Sequence, residues 1–340
     1  MSDISRRPVT AHDVARLAGV SQSAVSRTFT PGASVSAKTR EKVETAAASL
    51  GYRPNLVARS LITRRSNLVA VVLPSMVNPF YAVLLEHLAT GFELLGMRVL
   101  LFSTAGNEDS DPILDEVMRY RVDAIVLVST SLSSRFAEEC RQTGLAVVQV
   151  NRRSDSNVVS SVTSDNNNGG RQIAEFMLDA GLTHLAFIAG RDSSSTSRDR
   201  EQGFNTAVAK RGLNAPSRAC GCYDFAMAQE AARELLAGNP RPEGIFCAND
   251  LMAIAALEVA VKEFELHPGR DISIIGYDDI PQANWPLIGL TTWSQPLFDM
   301  ARHAVELIRL QLQDAASESV QLVLRGRLIV RGTSMTPGGK

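Results

Sequence analysis

Between residues 10 and 61 apolar side chains recur at helical spacing, whereas beyond Asn67 short β-branched runs alternate with amphipathic stretches. The amino-terminal pattern predicts three short helices. With Gln22 set at 0° on the second of them, Ser23 falls at about 100°, Ser26 at about 40° and Arg27 at about 140°. Ala24, Val25, Thr28 and Phe29 fall between about 200° and 340°. One arc therefore suits a domain core, and the other offers hydrogen-bonding groups to a ligand. Capping residues set the boundaries. Thr10 can accept from the amide of Asp13, whose carboxylate suits the positive helix start. Gly19 can take a left-handed turn, and Ser21 caps the second helix. A third helix runs from a Ser36 cap through Val43, Ala46, Ala47 and Leu50 to Gly51. Two helices joined through Gly19 read as a helix-turn-helix, a unit that places side chains in a DNA groove. The plain alternative is a helical hairpin in some core; the arginine-bearing polar face argues against it.

In the body of the chain, strands are predicted at 68–72, 98–102, 124–128, 146–150, 184–188, 244–247 and 272–275. Helices are predicted at about 80–95, 110–120, 133–143, 168–180, 199–211, 226–237, 250–265 and 297–313. Such alternation predicts parallel sheets covered on both faces, and the number of units predicts two α/β lobes rather than one sheet. Ligands in these folds sit at the carboxyl ends of strands. Polar clusters fall there: Asn78-Pro79-Phe80-Tyr81, Asn151-Arg152, Asp165-Asn166, residues 193–200, Tyr223, Asn249-Asp250 and Tyr277-Asp278-Asp279.

Composition narrows the function classes. The 340 residues are 45% hydrophobic, but no apolar run is long enough for a membrane span. The basic, polar start lacks the apolar region of a secretory signal, which predicts a cytoplasmic protein. Cys140, Cys220, Cys222 and Cys247 lack metal-ligand spacing with the five histidines, and Cys220-Gly221-Cys222 is not a redox C-x-x-C, so buried free thiols are expected. Neither a metal nor a cofactor is expected. Charge is divided unevenly. Residues 1–65 hold eleven Lys and Arg against four Asp and Glu, net +7, and the remainder holds twenty-four against thirty-two, net −8. A basic head on an acidic body suits binding a polyanion through one end. Arg6, Arg7, Lys38, Arg40, Lys42, Arg53, Arg64 and Arg65 are candidates for phosphate contacts.

Nearly the whole chain resembles the LacI/GalR family of bacterial transcription factors. The resemblance is carried by Asp13-Val14-Ala15, Val25-Ser26-Arg27, Val35-Ser36-Ala37-Lys38-Thr39-Arg40, Gly51-Tyr52-Arg53-Pro54-Asn55 and Val57-Ala58-Arg59-Ser60-Leu61. Further matches are Asn78-Pro79-Phe80-Tyr81, Asp165-Asn166, Arg200 with Gly203-Phe204, Asn249-Asp250, Gly276-Tyr277-Asp278-Asp279, Leu290-Thr291-Thr292, Gln295-Pro296 and Arg331-Gly332-Thr333. It implies an all-α helix-turn-helix DNA-binding domain at 8–54 and a hinge helix at 55–65. An α/β two-lobe, periplasmic-binding-protein-like domain with parallel sheets and Rossmann-like lobes would follow at 66–336. Three crossovers would divide the latter into an N-lobe, about 66–163 and 293–322, and a C-lobe, about 164–292 and 323–336.

The resemblance also implies roles. Thr10, Ser21, Gln22, Ser23, Ser26, Arg27, Asn55, Val57, Ala58 and Leu61 would face double-stranded operator DNA. Arg27 has the fork for guanine N7 and O6, and Gln22 can pair with adenine; Leu61 would wedge into the central base step from each protomer. A near-palindromic operator and a homodimer follow. Some relatives tetramerise through an added carboxy-terminal helix, whereas this chain stops at Pro337-Gly338-Gly339-Lys340. The effector would be a sugar, sugar acid or sugar phosphate, held by Arg200 and Asp278 with Asn249, Phe80, Tyr81, Arg152, Ser194, Thr196 and Tyr223. Ser194 stands where purine-binding relatives place an arginine, which weakens a purine ligand. Arg191 and Arg198 lie near the cleft in sequence. Trp293 stands where relatives carry an aliphatic residue, with no explanation in the sequence. The expected protein is a repressor of carbohydrate-metabolism genes, not an enzyme. Three other classes compete with it: a periplasmic solute-binding protein, a hydrolase or kinase, and a DNA-binding protein with a vestigial body. The basic head and the missing signal count against the first. The second would need chemistry that the Gly169-Gly170 pair and the serines of 193–197 do not supply.

Overall fold

A computed structural model describes residues 9–30, 32–53, 65–105, 110–154, 158–314 and 317–338. The chain forms two compact units, Met1–Ser66 and Asn67–Lys340. In the first, helices α1 (Ala11–Ala18), α2 (Gln22–Thr28) and α3 (Ala37–Leu50) enclose a core of Val14, Ala15, Val25, Val43, Ala46 and Ala47. Thr10 and Asp13 close a capping box in which the Asp13 amide donates to the Thr10 hydroxyl and the Thr10 amide donates to the Asp13 carboxylate. Gly19 ends α1 at φ 66°, a left-handed conformation suited to glycine. Ser21 then caps α2 by accepting from the Ala24 amide at 3.2 Å.

The second unit holds two six-stranded sheets. The first comprises β1 (Leu68–Leu73), β2 (Arg98–Ser103), β3 (Ala124–Val128), β4 (Ala146–Val150), β5 (Ser160–Ser164) and β11 (Gln321–Leu324), in the order β11-β5-β4-β3-β1-β2. Its helices are α4 (Pro79–Leu94), α5 (Asp111–Arg119), α6 (Ser134–Thr143) and α11 (Leu297–Gln313). The second sheet comprises β6 (Leu185–Ala189), β7 (Ser217–Cys220), β8 (Gly244–Cys247), β9 (Ser273–Asp278), β10 (Thr291–Ser294) and β12 (Arg327–Ile329), in the order β12-β10-β9-β8-β6-β7. It carries α7 (Asn166–Asp179), α8 (Ser195–Lys210), α9 (Phe225–Leu236) and α10 (Asp250–Lys262). Among the described residues, all strand pairs are parallel except β10 with β12. The chain changes lobe after β5, after β10 and after β11. β10 reaches Ser294 and β11 reaches Leu324, each running two residues past the lobe boundary read from the sequence.

Strands β5, β7, β10, β11 and β12 are absent from the sequence-based prediction. β5 reads Ser-Ser-Val-Thr-Ser yet is buried throughout. The Ser160 hydroxyl accepts from the Gln311 side chain at 3.2 Å and the Val320 amide at 3.1 Å, while Ser161 donates to Gln321. Polar groups satisfied this way can be buried without an apolar run to betray the strand. Where α7 and α8 cross, a Cβ at Gly170 would collide with the Arg200 carbonyl, and one at Gly203 with that of Asn167. Gly170 thus serves close helix packing, whereas a Cβ at Gly169 would run into the Tyr277 side chain. The cysteines correct another expectation. Cys140 and Cys247 are buried free thiols, but Cys220 and Cys222 form a disulfide. A left-handed turn at Cys222 (φ 53°) brings it back beside Cys220, with Cα atoms 5.3 Å apart, inside the span a disulfide bridges. Among the described residues no helix is long and apolar enough to cross a membrane.

Candidate functional site

On α2 the side chains of Gln22, Ser23, Ser26 and Arg27 are exposed, while Val25 and Thr28 are buried. Thr28 enters the inward arc because its hydroxyl donates to the Ala24 carbonyl at 2.9 Å. Four of the expected base readers therefore share one solvent-facing surface; Thr10 and Ser21 act as helix caps. Arg27 Nε donates to the Ser23 carbonyl at 3.4 Å, which lays its stem along the helix. Arg40 donates to the Thr28 carbonyl at 2.9 Å and lies 3.9 Å from Glu44, tying α3 to the end of α2. Lys38, Lys42, Arg53 and Arg65 are exposed. Asn55, Val57, Ala58 and Leu61, the expected hinge helix, and Arg6, Arg7 and Arg64 lie outside the described residues.

All nine residues expected to hold a small molecule line one cavity of about 140 Å³ in the second unit. The first lobe contributes Phe80 and Tyr81 after β1 and Arg152 after β4; the second contributes Ser194, Thr196 and Arg200 after β6, Tyr223 after β7, Asn249 after β8 and Asp278 at the end of β9. Strand order reverses between β1 and β3 in one sheet and between β6 and β8 in the other. The loops leaving such neighbours diverge and open a crevice. Ser129, Thr130 and Ser131, which sequence reasoning missed, also line the cavity. Their signal was their place directly after the apolar run of β3.

Arg200 is 2% exposed, an expensive position for a cation unless it is well partnered. Its Nε donates to the Asn166 side chain at 2.8 Å, and Nη1 donates to the Ala248 carbonyl and lies 3.9 Å from the Asp278 carboxylate. The guanidinium lies 3.6 Å over the Tyr277 ring, and Tyr277 stacks on the fully buried Trp293 at 6.2 Å. Trp293 is thus the floor of an aromatic column beneath Arg200. Among the described residues, Arg200 Nη2, Thr130 Oγ1 and Asn151 Oδ1 are buried without a hydrogen-bond partner, and all three residues line the cavity.

Asp278 accepts from Gln295 at 2.7 Å and, across the cleft, from Asn78 at 3.4 Å. Burial pushes its carboxyl above the ordinary carboxylate range, and Arg200, Gln295 and Asn78 pull it back. Asp278 and Asp279 hold φ values of 129° and 59°, strain for non-glycine residues that the Arg331–Asp279 contact at 2.7 Å helps to hold. Behind them Asp250 accepts from the Ile280 amide and Thr292; burial, then the neighbouring Asp278 charge, raises its carboxyl.

The remaining walls are hydroxyl chains. Ser194 bonds Thr196 at 2.7 Å, Thr196 bonds Tyr223 at 3.1 Å, and Asn151 donates to Ser129 at 2.7 Å. Arg152 donates to the Ser193 carbonyl at 2.7 Å and so links the lobes. Two lining residues also serve the scaffold: Phe80 is 2% exposed and packs in the core, and Asn249 caps α10 by accepting from the Met252 amide. Arg191 lines the cavity, but Arg198 instead donates to the Asp192 carbonyl and is not part of the lining.

Residues 10–55 match the family model described as bacterial regulatory proteins, lacI family, and residues 174–334 match a periplasmic binding protein-like domain. The chain is 30% identical to the ribose operon repressor of Escherichia coli (strain K12) over 329 residues, which span 96% of this chain and 99% of that protein. A Lac repressor dimer bound to operator and the anti-inducer ONPF is similar in structure, with a TM-score of 0.85 at 28% identity over 97% of this chain and 100% of that one. A transcriptional regulator CelR–cellobiose complex gives a TM-score of 0.72 at 29% identity over 96% and 100%.

Proposed function

The chain belongs to the LacI family of bacterial regulatory proteins, and we propose that it is a cytoplasmic repressor of carbohydrate-metabolism genes whose grip on a near-palindromic operator is set by a sugar-like effector. It acts as a homodimer, since two half-sites require two recognition helices related by a two-fold axis. Gln22, Ser23, Ser26 and Arg27 read base edges from the exposed face of α2. The family resemblance assigns the hinge role to residues 55–65, with Leu61 directed to the minor groove.

The observation that carries the effector reading is the juxtaposition of the buried Arg200 guanidinium and Asp278 carboxylate, 3.9 Å apart, with the polar atoms of Thr130 and Asn151 in the same cavity. A donor fork beside an acceptor suits neighbouring hydroxyls, each of which both gives and takes a hydrogen bond. The sugar complex and operon repressor among the relatives support carrying that ligand class to this chain. The effector acts by favouring one lobe arrangement over another. If the favoured arrangement separates the hinges, the operator is released; if it brings them together, the operator is gripped more tightly. Reciprocity makes operator alter effector affinity by the same factor.

Selection of genomic fragments bound by the purified protein, followed by a sugar screen on the recovered duplex, tests this reading. Arg27→Ala is expected to cost about 1–3 kcal/mol on that duplex and to relax preference at one base pair per half-site. Repeating the selection with the variant checks it; an unchanged preference removes Arg27 from the reading set.

A further inference from the structure

The Cys220–Cys222 disulfide closes a loop containing only Gly221. A cross-link over so short a separation restricts the unfolded chain very little, so stapling does not explain it. Its position is more informative. It sits where the edge strand β7 ends, and the next residue, Tyr223, is a wall of the ligand cavity that bonds Thr196 at 3.1 Å. Cys222 and Tyr223 form a corner with φ values of 53° and 60°, and the amides of Gly221 and Cys222 both donate to the Ala189 carbonyl, at 2.9 Å and 3.1 Å. The Tyr223 ring lies over Gly190 so closely that a Cβ there would collide with it. The Cys220 sulfur is 3.3 Å from the Gly190 carbonyl oxygen.

We propose that Cys220 and Cys222 are a reversible dithiol–disulfide pair that controls the seating of Tyr223, making the effector cavity sensitive to oxidation. The bonded pair clamps the corner. Reduction releases Cys222, and the Cys220 thiol gains a proton to donate to the Gly190 carbonyl, a bond the disulfide cannot make. Both sulfurs belong to partly exposed residues, whereas Cys140 and Cys247 are buried, with burial pushing the Cys140 thiol up to about 12 and raising Cys247 as well. Oxidation by a small disulfide therefore falls on the 220–222 pair. One thiolate attacks the reagent and expels a thiol, leaving a mixed disulfide. The second thiolate then displaces the other half, so two electrons and two protons pass from the cysteines to the reagent's two sulfurs. Intracellular disulfides are mostly of this transient, sensing kind.

The test uses the full chain poised at graded ratios of reduced to oxidised glutathione. Alkylation with peptide mass spectrometry reports the cysteines, and hydrogen exchange reports the backbone. Cys220 and Cys222 are expected to convert together and reversibly while Cys140 and Cys247 stay unmodified in the folded protein. Exchange across 189–197 and 220–226 is expected to slow several-fold in the oxidised form, a difference that Cys220→Ser and Cys222→Ser each abolish. Cysteines that stay reduced at every ratio, identical exchange in the two states, or a difference that survives in the serine variants would overturn the proposal. No sugar or operator enters the measurement, so its failure is separate from failure of the regulatory function.

Discussion

Asp278→Asn is expected to weaken effector binding by roughly 10- to 100-fold while operator binding without effector stays within about twofold of wild type. The substitution keeps the shape of a side chain that is 5% exposed but removes the charge that accepts from Gln295 and faces Arg200. Alanine is the poorer probe, because it would also delete the oxygen that accepts from Gln295 and leave a void beside the buried Arg200 guanidinium. The pH dependence has a definite sign. Hydroxyls donate to the ionised carboxylate, so wild-type affinity falls as pH drops through the range where Asp278 gains a proton. Burial places that range above the ordinary carboxylate one. Asparagine should flatten the dependence. Titration of the active sugar across pH, read by operator release or tightening, checks both points; an unchanged response in the variant would move the ligand elsewhere.

Gly203→Ala is expected to lower the stability of the second unit by about 3 kcal/mol or more. The obstacle to a new Cβ is the Asn167 carbonyl, part of the α7 backbone, which cannot swing aside as a side chain would. The helices must separate, and α8 carries Thr196 and Arg200 into the cavity, so effector binding should fail with stability. Chemical denaturation gives the shift in midpoint. A midpoint equal to wild type would mean that the two helices have slack where they cross.

The helix-turn-helix was legible because two local rules agree: capping residues mark the ends of α1 and α2, and helical periodicity puts Val25 inside and Arg27 outside. The cavity was legible for a different reason. Its side chains follow strands, and β1, β4, β6, β8 and β9 announce themselves as apolar runs. Tertiary context hid the rest. β5 is polar because Gln311, Gln321 and Val320 satisfy its hydroxyls from distant parts of the chain. Trp293 gains its meaning only beneath Tyr277 and Arg200, separated in sequence but stacked in space. The Cys220–Cys222 bond depends on a left-handed turn that two cysteines flanking a glycine do not disclose.

Fluorescence anisotropy of the intact protein on a selected duplex and on its scrambled counterpart, each titrated with a panel of neutral, acidic and phosphorylated sugars, tests sugar-governed operator recognition most directly. The selected duplex should bind about 10³-fold or more tightly than the scrambled one, and one sugar should shift its midpoint by about 5- to 150-fold. Equal binding to the two duplexes, or a midpoint that no sugar moves, would contradict it.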